Sequence, residues 1–331
     1  MVLRMPASAD TSYAQAACLA LGQAMADDAR IVVLGEDVGR GGIFSQYAGL
    51  QQRFGSQRVI DTPISEATIM GAGVGMALAG LKPVVEMRVV DFALCAMDEI
   101  VNQAAKARFM FGGQGRVPLV ARLPIGMWSA SAAQHSQSFE AWFAHLPGVV
   151  VVCPATPQDN HDLLLAALAC GDPVIYMEHK ELWGLSAPLQ PLPPARLGQA
   201  RHWRRGNHLS LVSWSRQMHV AAGACAVLAE RGVEVDLIDL RTIWPWDRDC
   251  VLESAARCGR LLVVHEAVQA AGFGAEIVAT AAQAVGCRVA RLGAPRIPVG
   301  YATTLEDAAR VPAGAIVDAA LALMQQMQKG R

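Results

Sequence analysis

Short apolar runs alternate with longer helix-forming stretches along most of the chain, and this alternation is the strongest constraint on its fold. In the N-terminal part the runs fall at 31–34, 84–87, 117–121, 149–153 and 174–177. Between them lie stretches of helical pattern at 11–26, 65–79, 91–110 and 157–169, with Thr11, Ser65 and Asp91 in capping positions. Strands separated by helices of this length cannot be joined by tight hairpins. They predict a parallel sheet covered by helices on both faces.

The pattern breaks at 185–208, where Pro188, Pro191, Pro193 and Pro194 are followed by Arg201, Arg204 and Arg205. Proline continues neither a helix nor a central strand, so this stretch reads as a linker. Alternation then resumes with strands at 209–214, 233–240 and 261–265. Helices are expected at 218–230, 248–256 and 275–284, with a last one at 315–327. A chain of 331 residues suits about two domains. The expected fold class is α/β, with a domain over 1–184, a linker over 185–208 and a second domain over 209–331, each built on a mostly parallel sheet flanked by helices.

Composition excludes several functions. With 28 basic and 29 acidic residues the net charge is −1, so no broad field favours nucleic acid or an anionic membrane surface. Hydrophobic residues make up 53% and charged residues only 17%, against about 25% in typical soluble domains. That balance rules out a disordered chain and leaves a surface poor in charge. No stretch reaches the roughly 18 to 20 apolar residues of a membrane span. The opening MVLRMPASADTSY lacks the apolar core of a secretory leader. Eight scattered cysteines without a C-x-x-C pair read as reduced thiols, so a cytoplasmic setting is expected and no metal site is.

Among candidate sites, Gly71-Ala-Gly73-Val-Gly75 resembles a dinucleotide loop only superficially. It sits inside a helical stretch rather than between a strand and a helix start, so close helix packing is the better explanation. Glu66 follows a short strand in Asp61-Thr-Pro-Ile-Ser-Glu66, where an acidic residue also suits a helix N-terminus. Glu36 and Asp37 follow the strand at 31–34, at the carboxyl end where open α/β sheets bind ligands. Phe92 marks the next strand–helix junction and would ordinarily be core. His135 lies in the polar stretch Ala133-Gln-His135-Ser-Gln-Ser138. Four strand ends thus hold Glu36, Glu66, Phe92 and His135, and they suggest one cleft without naming a reaction.

Further segments carry a family resemblance: Gly35-Glu-Asp-Val38, Arg58-Val-Ile-Asp-Thr-Pro-Ile-Ser-Glu66, Val90-Asp-Phe92, DEIVNQAAK from Asp98 to Lys106, and Met110-Phe-Gly-Gly113. AQHSQS at 133–138, Ala144-His-Leu-Pro-Gly148, Asp172-Pro-Val174, Glu178-His-Lys180, Asp239-Leu-Arg-Thr-Ile243 and Pro295-Arg-Ile-Pro298 follow in order. With these the chain resembles the β subunit of the thiamine-diphosphate-dependent 2-oxo acid dehydrogenases, the decarboxylating component of the pyruvate, branched-chain and acetoin dehydrogenase complexes. The resemblance implies a transketolase-like pyrimidine-binding domain followed by a transketolase C-terminal-like domain.

It also implies a divided site. This chain would hold the aminopyrimidine of thiamine diphosphate. A separate α subunit would hold the diphosphate and Mg2+ through a G-D-G…N motif, and G-D-G is absent from this sequence. Glu66 matches the family's catalytic glutamate, which hydrogen-bonds the pyrimidine ring nitrogen and favours its imino form. Phe92 would pack on that ring, Glu36 would support proton relay, and His135 would act near the thiazolium and substrate. The implied assembly is an α2β2 heterotetramer docked to a lipoyl-bearing dihydrolipoyl acyltransferase core, and through it coupled to dihydrolipoyl dehydrogenase. Its activity would be that of an oxidoreductase passing an acyl group from a 2-oxo acid or acetoin to lipoyllysine. The alternatives are a branched-chain 2-oxo acid enzyme, a self-sufficient transketolase-like homodimer, and a non-catalytic α/β assembly protein. Two segments depart from the pattern. The loop at 123–132 carries Trp128, and the turn at 167–172, which binds potassium in some relatives, has Cys170 where an acidic residue is frequent.

Overall fold

Helix α1 (Tyr13–Asp27) shows how the first layers form. Its alanines Ala17, Ala20 and Ala24 are buried beside Leu21 and Met25, and this thin face lets the helix lie close to helix α6 (Pro157–Ala169). The Ser12 hydroxyl caps α1 by accepting from Gln15 N, and the Gln15 side chain returns a bond to Ser12 N. The cap is therefore Ser12 rather than the expected Thr11, which lies in β1 (Asp10–Ser12). The computed structural model describes residues 10–325. The residues read for a secretory leader lie partly outside that range, as does the expected end of the last helix at Met327.

Two compact units divide the described chain. The first comprises residues up to Ile125 together with Trp142–Leu197. Its strands are β2 (Ile31–Gly35), β3 (Val59–Asp61), β4 (Lys82–Glu86), β5 (Val120–Arg122), β6 (Val150–Val152) and β7 (Val174–Tyr176). They pair in parallel in the order β6-β7-β5-β4-β2-β3. The short helix α2 (Leu50–Phe54) precedes β3, and α3 (Glu66–Leu78) follows it. Gly73 of α3 makes the close approach expected of the glycine run. A Cβ there would fall 2.6 Å from Val85 Cγ2 and 3.0 Å from Leu119 Cδ1.

The helix expected at 91–110 is instead three pieces: a tight turn at Val90–Ala96, a wide π turn at Glu99–Ala104, and α4 (Ala105–Met110). Asp98 accepts from Asn102 Nδ2 at 2.6 Å and Gln103 Nε2 at 3.2 Å. The second of these bonds spans five residues, as a π register does. Asp91 consequently lies inside the first turn, and Val89 stands at its cap. Ser65 stands at the cap of α3, but its hydroxyl bonds Thr68 Oγ1 instead of the backbone. At the end of α4, Phe109, Met110 and Phe111 are 86%, 71% and 56% exposed.

The stretch read as a linker is partly structured. β8 (Ser186–Pro188) pairs antiparallel with β1, and β9 (Arg201–Arg204) joins the second unit's sheet. That unit contains Gly126–Ala141 and the chain from Gly198 onward. α5 (Glu140–Ala144) begins at the end of the former segment. Its sheet also holds β10 (Leu209–Ser213), β11 (Val235–Asp239), β13 (Arg260–Val268) and β14 (Arg288–Ala294); β12 (Thr242–Trp244) follows β11 in sequence but is not a strand of this sheet. The order is β14-β13-β10-β11-β9, parallel except for β9 at the edge. Helices α7 (Gln217–Glu230), α8 (Arg248–Cys258), α9 (Gly274–Val285), α10 (Thr303–Ala309) and α11 (Ala313–Gln325) complete it. Among the described residues no helix is long and apolar enough to cross a membrane.

Candidate active site

Neighbouring parallel strands place three of the expected residues on one edge of the first unit. Glu36 follows β2, Glu66 opens α3 after β3, and Phe92 stands in the turn after β4, and these strands are adjacent in the order β4-β2-β3. Gly35 is required at the end of β2, because a Cβ there would lie 2.8 Å from both Glu86 Cβ and Glu86 O. The loops after β2 and β3 are tied together by Gly39 N donating to Asp61 Oδ1 at 2.8 Å and Thr62 N donating to Gly35 O at 3.0 Å. The buried Thr62 hydroxyl has no hydrogen-bond partner among the described residues.

Glu36 and Glu66 share an electrostatic environment. Burial pushes the Glu36 carboxyl above its ordinary range. Arg88 opposes that shift, while the neighbouring charges of Glu66 and Asp37 add to it. Arg88 Nη1 is 2.9 Å from Asp37 Oδ2 and 3.9 Å from Glu36 Oε2, so its closer bond is to Asp37. Glu66 itself is half-buried. A carboxyl held above its ordinary range beside a second carboxyl is an arrangement suited to general acid–base work. Phe92 is also half-buried, with its backbone held by Phe92 N donating to Val89 O at 3.1 Å.

Behind this edge lies a buried polar cluster that sequence reading missed. Glu86, at the end of β4, accepts from the Tyr47 hydroxyl and from Gln46 Nε2 at 3.4 Å. Both donors belong to the loop that carries Glu36. Arg122 bonds Glu178 twice, at 2.8 and 2.7 Å, and its guanidinium lies 4.8 Å from the Tyr47 ring centre. Asn160 Nδ2 donates to Glu178 Oε1 at 2.9 Å, and Tyr176 OH donates to Asn160 Oδ1 at 2.9 Å. Two buried carboxylates thus face one guanidinium, which is committed to Glu178. Burial pushes Glu86 up to about 7, against the lowering influence of Arg122 and Tyr47. The available signal was a charged residue ending each of the apolar strands KPVVE and VAR.

His135 is placed differently from the other three. It is exposed on Gly126–Ala141, a segment that belongs to the second unit although it precedes the linker in sequence. Glu36, Glu66 and Phe92 thus stand at strand ends of the first unit, while His135 stands on a loop of the second. Within the second unit, Met127 N donates to Glu266 Oε1 at 2.9 Å and Ala130 N to Glu306 Oε2 at 2.8 Å. Trp214 Nε1 donates to Glu140 Oε1 at 2.9 Å, and its ring stacks on His265 at 5.3 Å. His265 is enclosed by Gly272, Gly274 and Gly293, where any Cβ would collide with its ring. Its Nδ1 donates to Ala267 O at 2.9 Å, and burial holds the imidazole down at about 4.

The turn at 167–172 is occupied by a protein cation. Arg108 donates to the Asp172 carboxylate and, through Nη2, to Gly171 O at 3.1 Å. A thiol–imidazole–carboxylate line also occurs in the second unit. Cys250 Sγ is 3.3 Å from His202 Nε2, and His202 Nδ1 is 3.1 Å from Asp236 Oδ1. Burial pushes the Cys250 thiol up to about 11, and Asp236 is engaged by Ser254 and Arg257. The line is therefore a structural hydrogen-bond chain, because a nucleophile there would need a lowered thiol pKa.

Known proteins match both parts of the chain. Residues 9–184 match the transketolase pyrimidine-binding domain, and residues 198–316 match the transketolase C-terminal domain. The chain is 39% identical to the β subunit of an acetoin:2,6-dichlorophenolindophenol oxidoreductase from Cupriavidus necator, over 91% of this chain and 93% of that one. The chain belongs to the dehydrogenase E1 β-subunit family. A 2-oxoisovalerate dehydrogenase β subunit from Bacillus subtilis is 37% identical over 89% of this chain and 93% of its own length. A pyruvate dehydrogenase E1 β subunit from Rickettsia felis is 37% identical over 91% and 94%. A split-gene transketolase, solved as an inactive β4 tetramer, shares the fold with a TM-score of 0.81 over 96% of this chain and 99% of that one, at 18% identity.

Proposed function

We propose that this E1 β-family chain is the half of a thiamine-diphosphate enzyme that binds the aminopyrimidine and handles its protons. The substrate class is a 2-oxo acid or acetoin, and the acyl group passes to lipoyllysine of a dihydrolipoyl acyltransferase core, which dihydrolipoyl dehydrogenase reoxidises. An α subunit, paired as α2β2, would supply the diphosphate and Mg2+ ligands. The eight free thiols support a cytoplasmic setting.

The observation that carries this reading is the carboxyl pair on adjacent strand ends, Glu36 after β2 and Glu66 after β3. The pair and the unpartnered Thr62 hydroxyl suit a polar heterocycle bearing a ring nitrogen and an amino group, and the half-buried Phe92 offers an apolar ring face. When bound, thiamine diphosphate supplies the electron sink that lets the bond beside a carbonyl break. Glu66 would hold a proton against the pyrimidine ring nitrogen. Glu36, kept protonated more readily by burial, would steady the charge beside it, with Arg88 limiting that shift. His135, on the second unit's loop, would orient the substrate or move protons during acyl transfer.

Glu66→Gln, assayed in the complex reconstituted with the α subunit, is expected to lose roughly 10²-fold or more in turnover. Turnover within about twofold of wild type would overturn the assigned role, since general acid–base groups contribute far more than that.

A further inference from the structure

We propose that Glu266 and Glu306 are positioning residues that hold the His135 loop in its working conformation. The proposal rests on the reading of His135 given above. Ser129, Ala130 and Ala132 adopt φ values of 50°, 57° and 61°, a left-handed region that residues with a Cβ enter only at a cost. Three such residues within four positions do not persist without an external hold.

The hold is visible. Glu306, buried on α10, accepts Ala130 N–H through Oε2, while its Oε1 accepts from Arg310 Nη2 at 2.6 Å. Glu266, buried near the end of β13, accepts Met127 N–H through Oε1, with Arg216 Nη1 3.8 Å from its Oε2. Each carboxyl also has a guanidinium beside it, Arg310 at Glu306 and Arg216 at Glu266, and charge-assisted hydrogen bonds to an amide are stronger than neutral ones. The two anchored amides flank Trp128, so the strap is pinned on both sides of the indole. The chain then runs through Ala132, whose carbonyl lies 3.5 Å from His135 N. Neither glutamate is assigned a contact with substrate or cofactor. Their effect passes through the backbone.

The test uses the full chain, alone and paired with its α subunit. Amide hydrogen exchange on the full chain is expected to rise about tenfold or more at Ala130 in Glu306→Ala, and at Met127 in Glu266→Ala, the effect of losing a charge-assisted bond. Glu306→Gln and Glu266→Gln keep an oxygen acceptor and should restore most of the protection. In the paired enzyme Glu306→Ala should lower kcat by about tenfold while thiamine diphosphate affinity stays within about twofold, because the loss is confined to the loop. In a His135→Ala background the same change should cost almost nothing more.

Unchanged exchange at both amides would overturn the clamp, as would a full additional loss in the His135→Ala background. Glutamine variants as impaired as the alanine variants would also count against it, since they would place the effect in charge rather than in the amide bond. If the wild-type pair turns over no 2-oxo acid or acetoin, the functional reading fails, and the exchange measurements still decide the clamp.

Discussion

Each unit buries a side chain that titrates between acid and neutral pH against its charged form, Glu86 in the first and His265 in the second, and the two respond to pH in opposite directions. In the first unit Glu86 stays protonated in the folded chain up to about 7, whereas an unfolded chain loses that proton near 4.5. Its contribution to stability is therefore complete below 4.5 and is lost as pH rises through about 7. In the second unit His265 stays neutral down to about 4, whereas an unfolded chain takes up a proton near 6.5. That contribution is complete above 6.5 and is lost as pH falls towards 4. Between roughly 4.5 and 6.5 one unit loses stability with rising pH while the other gains it. One sheet architecture, used twice, does not fix a common pH response. The buried odd charge does.

The largest expected effect comes from removing the cation that keeps the first unit's cluster together. Arg122→Met strands Glu178 and Glu86 in the core and should cost about 3–5 kcal/mol, read by urea unfolding. A loss below about 1 kcal/mol would mean the cluster is already neutral. Next come the opposed slopes, each worth about 3 kcal/mol across its window. Glu86→Gln should flatten the slope of the first unit alone, and His265→Gln that of the second alone, measured by peptide-resolved hydrogen exchange between pH 4 and 7. A variant that flattened both would show that the units unfold as one. The smallest effect is Tyr47→Phe, about 1–2 kcal/mol for a buried hydrogen bond. Because that bond lowers the Glu86 pKa, its loss should move the carboxyl titration upward in infrared spectra. A downward move would contradict the donor assignment.

Periodicity in the sequence was enough for the alternating strands and helices of both units, because each helix face and buried strand repeats on its own local scale. It also placed Glu36, Glu66 and Phe92 in the segments that follow buried strands, where the structure has them, since such segments lie at the sheet's edge wherever the strand is placed. The π turn at Glu99–Ala104 was not legible, because DEIVNQAAK carries the residues of an ordinary helix. His135 was recognised as a residue, but the unit that its loop joins was not. Its loop is placed by bonds to Glu266 and Glu306, more than 130 residues away in sequence, and nothing local in AQHSQS encodes them. The Glu86–Arg122–Glu178 cluster escaped for the same reason. Glu86 on β4, Arg122 on β5 and Glu178 just after β7 become a single network only after the sheet has formed.

The shortage of charge across the sequence and the exposed ridge of Phe109, Met110 and Phe111 have a consequence for how the chain must be made. Three consecutive large side chains open to water form a sticky patch, and such patches set an upper limit on the concentration at which a protein stays monodisperse. Left open to water, such a ridge favours self-association as the concentration of the chain rises.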